Sequence, residues 1–185
     1  KEEKLIDENG AAITESAFKT KINNGNYHYI LLETDSTLTA KLVKRDQYGA
    51  ITPEKRNEII KYLTRISGKE ISESQIMVVH FYYEDPESPA NKRHGTCIDH
   101  YTGDRKYLQF FKNNPEAVQF FITAKDYVYD EKKTFEDKER LFQDEFFSHG
   151  GYCGNYIIIK PDGSYYKRIG EYRQDEIPGK VKNGF

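Results

Sequence analysis

The sequence has no tryptophan, one methionine, only two cysteines and no strong excess of charge of either sign. Its 28 basic and 30 acidic residues leave a net charge of −2, so no basic field attracts nucleic acid or anionic lipid. No apolar run approaches the ~20 residues that a membrane-spanning helix needs. Phosphate-binding glycine loops, nucleophile elbows and His-Glu-x-x-His motifs are also missing. We therefore expect no transmembrane segment, no nucleic-acid partner and no cofactor.

The composition is that of a folded chain. Fifteen tyrosines and eleven phenylalanines among 185 residues are too many for a disordered tail. The length suits one domain of ordinary size. The chain starts at Lys1 rather than Met, and we expect that a signal peptide, a lipoprotein leader or a cloning-derived segment has been removed, which leaves a lipid anchor ahead of Lys1 open.

The two cysteines, Cys97 and Cys153, stand in glycine-rich, loop-like surroundings. The residues alone leave three interpretations open: a disulfide, a metal site, or two unrelated thiols. A disulfide would indicate an oxidising compartment, so we expect a periplasmic or extracellular protein.

The second half of the chain predicts a mixed α/β sheet. Ile76–Tyr83 is the most apolar run and reads as a central strand covered on both faces. Ala117–Thr123 predicts another strand, and Asn155–Lys160 predicts a strand that turns at Pro-Asp-Gly into an antiparallel partner. Helical patterns between these strands predict parallel pairing, with helices on both faces of the sheet.

The first half predicts a small N-terminal hairpin and a helical segment. An Asn-Gly pair within Leu5–Thr14 is a tight-turn signal between short apolar runs. Leu38 and Leu42 stand at helical spacing and predict a helix that ends near Gly49. A second helix is predicted from Pro53, capped by Thr52 and ended by a glycine.

Three pieces of the chain resemble the thioredoxin-like superfamily, in particular its redoxin-type members. They are the opening at Leu5–Thr14, the strand Met77–Tyr83 with the irregular loop after it, and the terminal hairpin Tyr156–Gly170. The resemblance implies a single thioredoxin-like domain over residues 1–172, with an insertion at about 36–74 and a flexible tail at 173–185. The chain is also similar in character to bacterial envelope proteins.

Both signature elements of the superfamily's redox members are missing. At the position of their Cys-x-x-Cys motif this chain has Glu84–Pro89, which contains no cysteine. The redox members also carry a cis-proline directly before the terminal hairpin, whereas no proline directly precedes Asn155 here. Their dithiol chemistry therefore cannot be assigned to these positions. We expect no reduction of disulfides or peroxides at the rates of the redox members.

The resemblance implies that the loop holding Cys97 and the loop holding Cys153 lie side by side, which predicts a disulfide between them. The same loops hold His94, His100 and His149, which with the cysteines form an alternative metal-ligand set. Glu84 and Asp85 follow the central strand, where open sheets bind ligands. His80, inside that strand, is expected to be a buried histidine bonded to a neighbour.

Three functions remain open at this point. The first is a non-catalytic, disulfide-stapled envelope domain that binds another envelope protein or serves as an accessory subunit. The second is a divergent thiol–disulfide oxidoreductase or peroxidase that uses Cys97 and Cys153. The third is a metal-binding module built from the cysteines and histidines.

Overall fold

The computed structural model describes residues 1–84 and 97–185, which divide into two compact units, Lys1–Gln47 and Tyr48–Phe185. The resemblance implied one domain over residues 1–172, and the structure differs from that expectation. Residues 1–47 contain a sheet of their own rather than strands added to the main sheet. In the described ranges, no helix has both the length and the apolar character needed to cross a bilayer.

The smaller unit is a three-stranded sheet with one helix. Its elements are β1 (Glu2–Ile6), α1 (Glu15–Asn23), β2 (Tyr27–Glu33) and β3 (Thr37–Lys44). The strand order is β1-β3-β2, with β1 parallel and β2 antiparallel to β3. The Thr14 hydroxyl caps α1 by accepting a hydrogen bond from the Ala17 amide, and Phe18 is the buried residue of the helix.

The predicted N-terminal turn is present, but β1 takes a different main partner. The Asp7 carboxylate accepts the amides of Asn9 and Ala11 and so holds the turn in place. Only an isolated bridge between Ile6 and Ala12 crosses this turn, while β1 pairs along its whole length with β3.

The predicted helix at Leu38–Gly49 is wrong, because this segment forms β3 and then β4 (Asp46–Ala50). Leu38 and Leu42 are four apart, a spacing that also puts them on one face of a strand. Of the proposed insertion at 36–74, only α2 (Pro53–Ser67) is helical. It begins and ends as expected, with the Thr52 cap and the left-handed Gly68.

The larger unit carries a six-stranded sheet in the order β4-β9-β8-β5-β6-β7. Its remaining elements, in chain order, are β5 (Ile76–Tyr82), α3 (Cys97–Thr102), α4 (Arg105–Asn113), β6 (Ala117–Thr123), β7 (Phe135–Glu136), α5 (Leu141–Glu145), β8 (Asn155–Ile159), β9 (Ser164–Ile169) and α6 (Ile177–Asn183).

The interior position predicted for Ile76–Tyr83 is confirmed. β5 pairs in parallel with β6 and antiparallel with β8, and its side chains alternate between two buried clusters. Met77, Val79 and Phe81 pack with α2 and α5 on one face, whereas Val78 and Tyr82 pack with α3, α4 and α6 on the other. The sheet therefore has helices on both faces, as the sequence predicts.

The connections of the larger unit are those of a thioredoxin-like fold. A strand–helix–strand unit, β5 to β6, provides the parallel pair, and the β8–β9 hairpin followed by α6 completes the sheet in the order β6-β5-β8-β9. β4 and β7 extend this core at its two edges.

The C-terminal residues 173–185 differ from the flexible tail expected from the sequence. A short 3-10 turn at Gln174–Glu176 leads into α6, where Ile177 and Val181 are buried in the same cluster as Val78. These two residues are four apart and form one apolar helical face, which charged and glycine neighbours obscure in the sequence.

Candidate functional site

Cys97 and Cys153 form a disulfide, as predicted, across 56 positions of sequence and with 5.8 Å between their Cα atoms. Cys97 is the first residue of α3, the first helix described after β5, and Cys153 stands two residues before β8. Both cysteines are half-buried. The bond thus joins a helix on one face of the sheet to the loop that enters the terminal hairpin.

The loop before β8 is held in place by the buried side chain of Asn155. Its amide nitrogen donates to the carbonyl oxygens of Phe81, at 3.1 Å, and Gly151, at 2.8 Å. Its side-chain oxygen accepts the backbone amides of Gly151 and Gly170, both at 2.9 Å. Four hydrogen bonds from one side chain therefore fix this loop to β5 and to the end of β9.

Gly154, next to Cys153, lies directly on two aromatic rings. It has a positive φ of 91°, and a Cβ there would stand 2.8 Å from Tyr172 and 3.2 Å from Tyr101. These two rings stack with centroids 4.3 Å apart. The Tyr101 hydroxyl donates to the Tyr172 carbonyl and accepts the Tyr172 amide, both at 3.2 Å. The loop that contains Cys153 therefore packs against the stacked rings of Tyr101 and Tyr172.

These two rings belong to a hydrogen-bonded group, which we call the tyrosine cluster: His80, Tyr82, Tyr101, Tyr107 and Tyr172. His80 is fully buried, and its Nδ1 and Nε2 atoms are hydrogen-bonded to the hydroxyls of Tyr172 and Tyr107. The hydroxyls of Tyr82 and Tyr172 are 2.9 Å apart. A neutral imidazole can satisfy this arrangement by donating from one nitrogen and accepting at the other.

Burial keeps four members of the tyrosine cluster uncharged. It lowers the pKa of His80 to about 3 and raises the pKa of Tyr82, Tyr107 and Tyr172 well above its ordinary value. At neutral pH the imidazole of His80 is therefore neutral, and the phenols of these three tyrosines are protonated. The cluster holds polar groups inside an apolar core, and its chemistry is that of a structural network rather than of an acid–base pair open to solvent.

The other residues singled out from the sequence are dispersed. His100 is exposed on α3, His149 is exposed before Gly150, and Glu84 is exposed after β5. Asp85 and His94 lie outside the described residues. Within 1–84 and 97–185, no group of three or more His, Cys, Asp or Glu side chains could hold a metal ion. The disulfide also occupies both cysteine sulfurs.

The sequence predicts that His80 is a buried, bonded histidine but does not indicate its partners. Tyr107 lies on α4, and Tyr172 follows β9, so both are far from His80 in sequence. The available signal was the histidine itself, because a polar side chain inside a buried strand requires hydrogen-bond partners.

Replacing Gly154 with alanine should destabilise the larger unit by about 1–3 kcal/mol. The added Cβ would require a left-handed backbone at a non-glycine residue and would push against the ring of Tyr172. Chemical denaturation measures the loss. A matched control is Gly179→Ala, because the space around Gly179 is open; equal losses in the two variants would contradict the predicted contact.

Comparison with solved structures finds four matching chains, two of which are described here. One is a secreted Mycobacterium tuberculosis disulfide oxidoreductase homologous to E. coli DsbE, with 12% identity and a TM-score of 0.39. The other is MTB dsbF in its mixed oxidized and reduced forms, with 17% identity and the same TM-score. Each match covers 60% of this chain and 82% of the neighbour. The thioredoxin-like fold is assigned from the strand order and connections of the larger unit.

No protein-family model and no curated protein matches the chain.

Proposed function

We propose that this protein is a non-catalytic, extracytoplasmic thioredoxin-like domain of a bacterial cell envelope, which binds another envelope protein as an accessory component. The observation that carries the proposal is the placement of the disulfide. It takes both cysteines of the chain and secures a loop that is already held by Asn155 and packed through Gly154.

A redox catalyst needs an accessible thiolate of low pKa, and its disulfide is reduced and formed again in every catalytic cycle. Here both cysteines are half-buried, and the Cys153 loop is fixed on the tyrosine cluster. A structural staple accounts for these features, since it requires two inert sulfurs in an ordered setting. Stable disulfides persist in oxidising compartments, which supports the extracytoplasmic location.

A surface for the partner is available beside the bond. Tyr152, adjacent to Cys153, has 54% of its surface exposed. Exposed tyrosine combines an apolar ring with a polar hydroxyl and is enriched where proteins contact each other. Tyr152 therefore gives the binding proposal a residue that can be changed without touching the buried core.

The second candidate function is a divergent thiol–disulfide oxidoreductase. One observation favours it: the bond begins at the first residue of a helix that follows the central strand. The resembled redox members carry their catalytic cysteine just after that strand, at the place of Glu84–Pro89 here, and Cys97 is the cysteine of this chain that follows the strand.

Insulin-reduction and peroxidase assays separate the two functions. We expect the wild-type protein and its Cys97→Ser variant to give the same background rate, and non-reduced protein to contain no free thiol. Turnover that disappears in Cys97→Ser would overturn the proposal and establish the oxidoreductase.

The binding function is tested by cross-linking the protein in envelope preparations. Tyr152→Ala should weaken a specific cross-linked product, whereas Val128→Ala, at another exposed apolar residue, should not. Equal cross-linking in both variants would show that Tyr152 is not part of the interface.

A further inference from the structure

The edge strands of the two sheets differ sharply in how they are protected. In the described part of the chain, the four end strands are β1, β2, β4 and β7. β1 has three charged residues among five, β4 is also five residues long and begins with an aspartate, and β7 has only two residues. β2 has seven residues, and its single acid stands at the last position, Glu33. Charge and shortness are the usual protections of an exposed edge, and β2 is long and carries its one acid only at its end.

The backbone groups that β2 turns outward follow from its pairing with β3. The Arg45 amide donates to the Asn26 carbonyl at 3.0 Å, and the Thr34 amide donates to the Thr37 carbonyl at 2.9 Å. In an antiparallel pair such bonded positions alternate, so even-numbered residues of β2 bond to β3. The odd-numbered residues therefore present their N–H and C=O groups to the open edge. They are Tyr27, Tyr29, Leu31 and Glu33.

Apolar side chains accompany this open edge. Leu31 has 59%, Tyr29 has 44% and Leu32 has 43% of its surface exposed. Tyr29 and Leu31 share one face of the sheet, the face on which Phe18 of α1 contacts the Tyr29 ring. An extended segment added to this edge would thus gain both hydrogen bonds and apolar contacts.

We propose that β2 is a self-association edge, which pairs antiparallel with β2 of a second copy about a two-fold axis at Ile30. This register puts Tyr29 opposite Leu31 of the second copy and Tyr27 opposite its Glu33. All the outward-facing residues are then used, and they fall at bonded positions, as antiparallel pairing requires. An axis at Tyr29 or Leu31 would leave some of these groups without a partner.

The second copy is favoured as occupant because the edge is complementary to itself. Each exposed Tyr29 meets an exposed Leu31, an aromatic–aliphatic pair that stabilises neighbouring strands, and symmetry provides it twice. At each end, Glu33 of one copy stands opposite Tyr27 of the other, with Lys44 on the next strand of the same row. Pairing also joins two three-stranded sheets into one six-stranded sheet. The inference does not rest on the proposed function.

The first test measures the dissociation constant by analytical ultracentrifugation over a range of concentrations. Wild-type protein should form a reversible dimer, and Leu31→Lys should weaken it at least tenfold, because two lysines enter the apolar edge. Glu3→Lys, on the charged edge strand β1, is the matched control and should leave the constant unchanged. Circular dichroism checks that both variants keep the wild-type fold.

The second test determines the register in which the two β2 strands pair. Ile30 of the two copies would form a non-bonded pair with Cα atoms about 4.5 Å apart, within reach of a disulfide. Ile30→Cys should therefore give a covalent dimer under mild oxidation. Leu32→Cys should not, because that pair would be about 13 Å apart along the strands. A monomer at all concentrations, a dimer that tolerates Leu31→Lys, or cross-linking through Leu32→Cys instead would overturn the proposal, as would a β2 edge occupied only by another protein's strand.

Discussion

Replacing both Cys97 and Cys153 by serine should lower the free energy of unfolding of the larger unit by about 4 kcal/mol. The bond closes a loop across 56 positions, and its loss gives the unfolded chain a large gain in conformational freedom. For a protein of this size the change corresponds to a fall in melting temperature of roughly 10 °C. Urea denaturation of the double variant measures the difference in free energy.

Reduced wild-type protein is the control for this prediction. It should unfold at the same denaturant concentration as the double serine variant, because the two share the missing cross-link. A double variant as stable as the oxidised wild type would show that the bond contributes nothing to the fold and would remove the basis for a structural staple.

Acidification should destabilise the larger unit through His80, by about 4 kcal/mol between pH 6.5 and pH 3. Burial holds the folded pKa near 3, whereas the unfolded imidazole titrates near 6.5. Between these values the unfolded state binds a proton that the folded state cannot, so stability falls as the pH falls. Above pH 6.5 both states are neutral at this residue and the effect is absent. Denaturation at a series of pH values gives the slope.

His80→Gln isolates this contribution from that of other groups. Glutamine keeps one donor and one acceptor for the two tyrosine hydroxyls but does not titrate in this range. The variant should be less stable than the wild type at pH 7, because its amide fits the site less well. Its stability should nevertheless depend less on pH, by up to about 1.4 kcal/mol per pH unit. Equal slopes in the two proteins would contradict the assignment.

The sequence predicts those parts of the fold that have a local cause. The interior strand β5 follows from an unbroken apolar run, and the β8–β9 hairpin follows from its Pro-Asp-Gly turn. Helix α2 is bounded by a threonine cap, a proline suited to its first turn and a left-handed glycine. Each of these signals lies within a few residues of the element that it defines.

The predictions from sequence that are wrong concern segments whose apolar spacing fits two structures, or whose buried face is interrupted by polar residues. Leu38 and Leu42 fit a helix as well as a strand, and only pairing with β1 and β2 selects the strand. Ile177 and Val181 become buried only because the hairpin and α4 provide a surface for them. Long-range contacts make these choices, so no local pattern could reveal them.

The site was predictable to a similar degree. The cysteine pair followed from the implied fold, because that fold brings their two loops together. The tyrosine cluster did not, because the partners of His80 come from α4 and from the residues after β9. A histidine in a buried strand indicates that partners exist, but their identity depends on the packing of distant helices.

The stacking of Tyr101 on Tyr172 gives the protein an optical reporter of its disulfide loop. Because the chain has no tryptophan, its near-ultraviolet signals come from tyrosine, phenylalanine and the disulfide itself. Rings held 4.3 Å apart in a fixed, asymmetric setting produce strong circular dichroism in that region, and rotating rings do not. Loosening of the Cys153 loop can thus be followed through these rings without any added label.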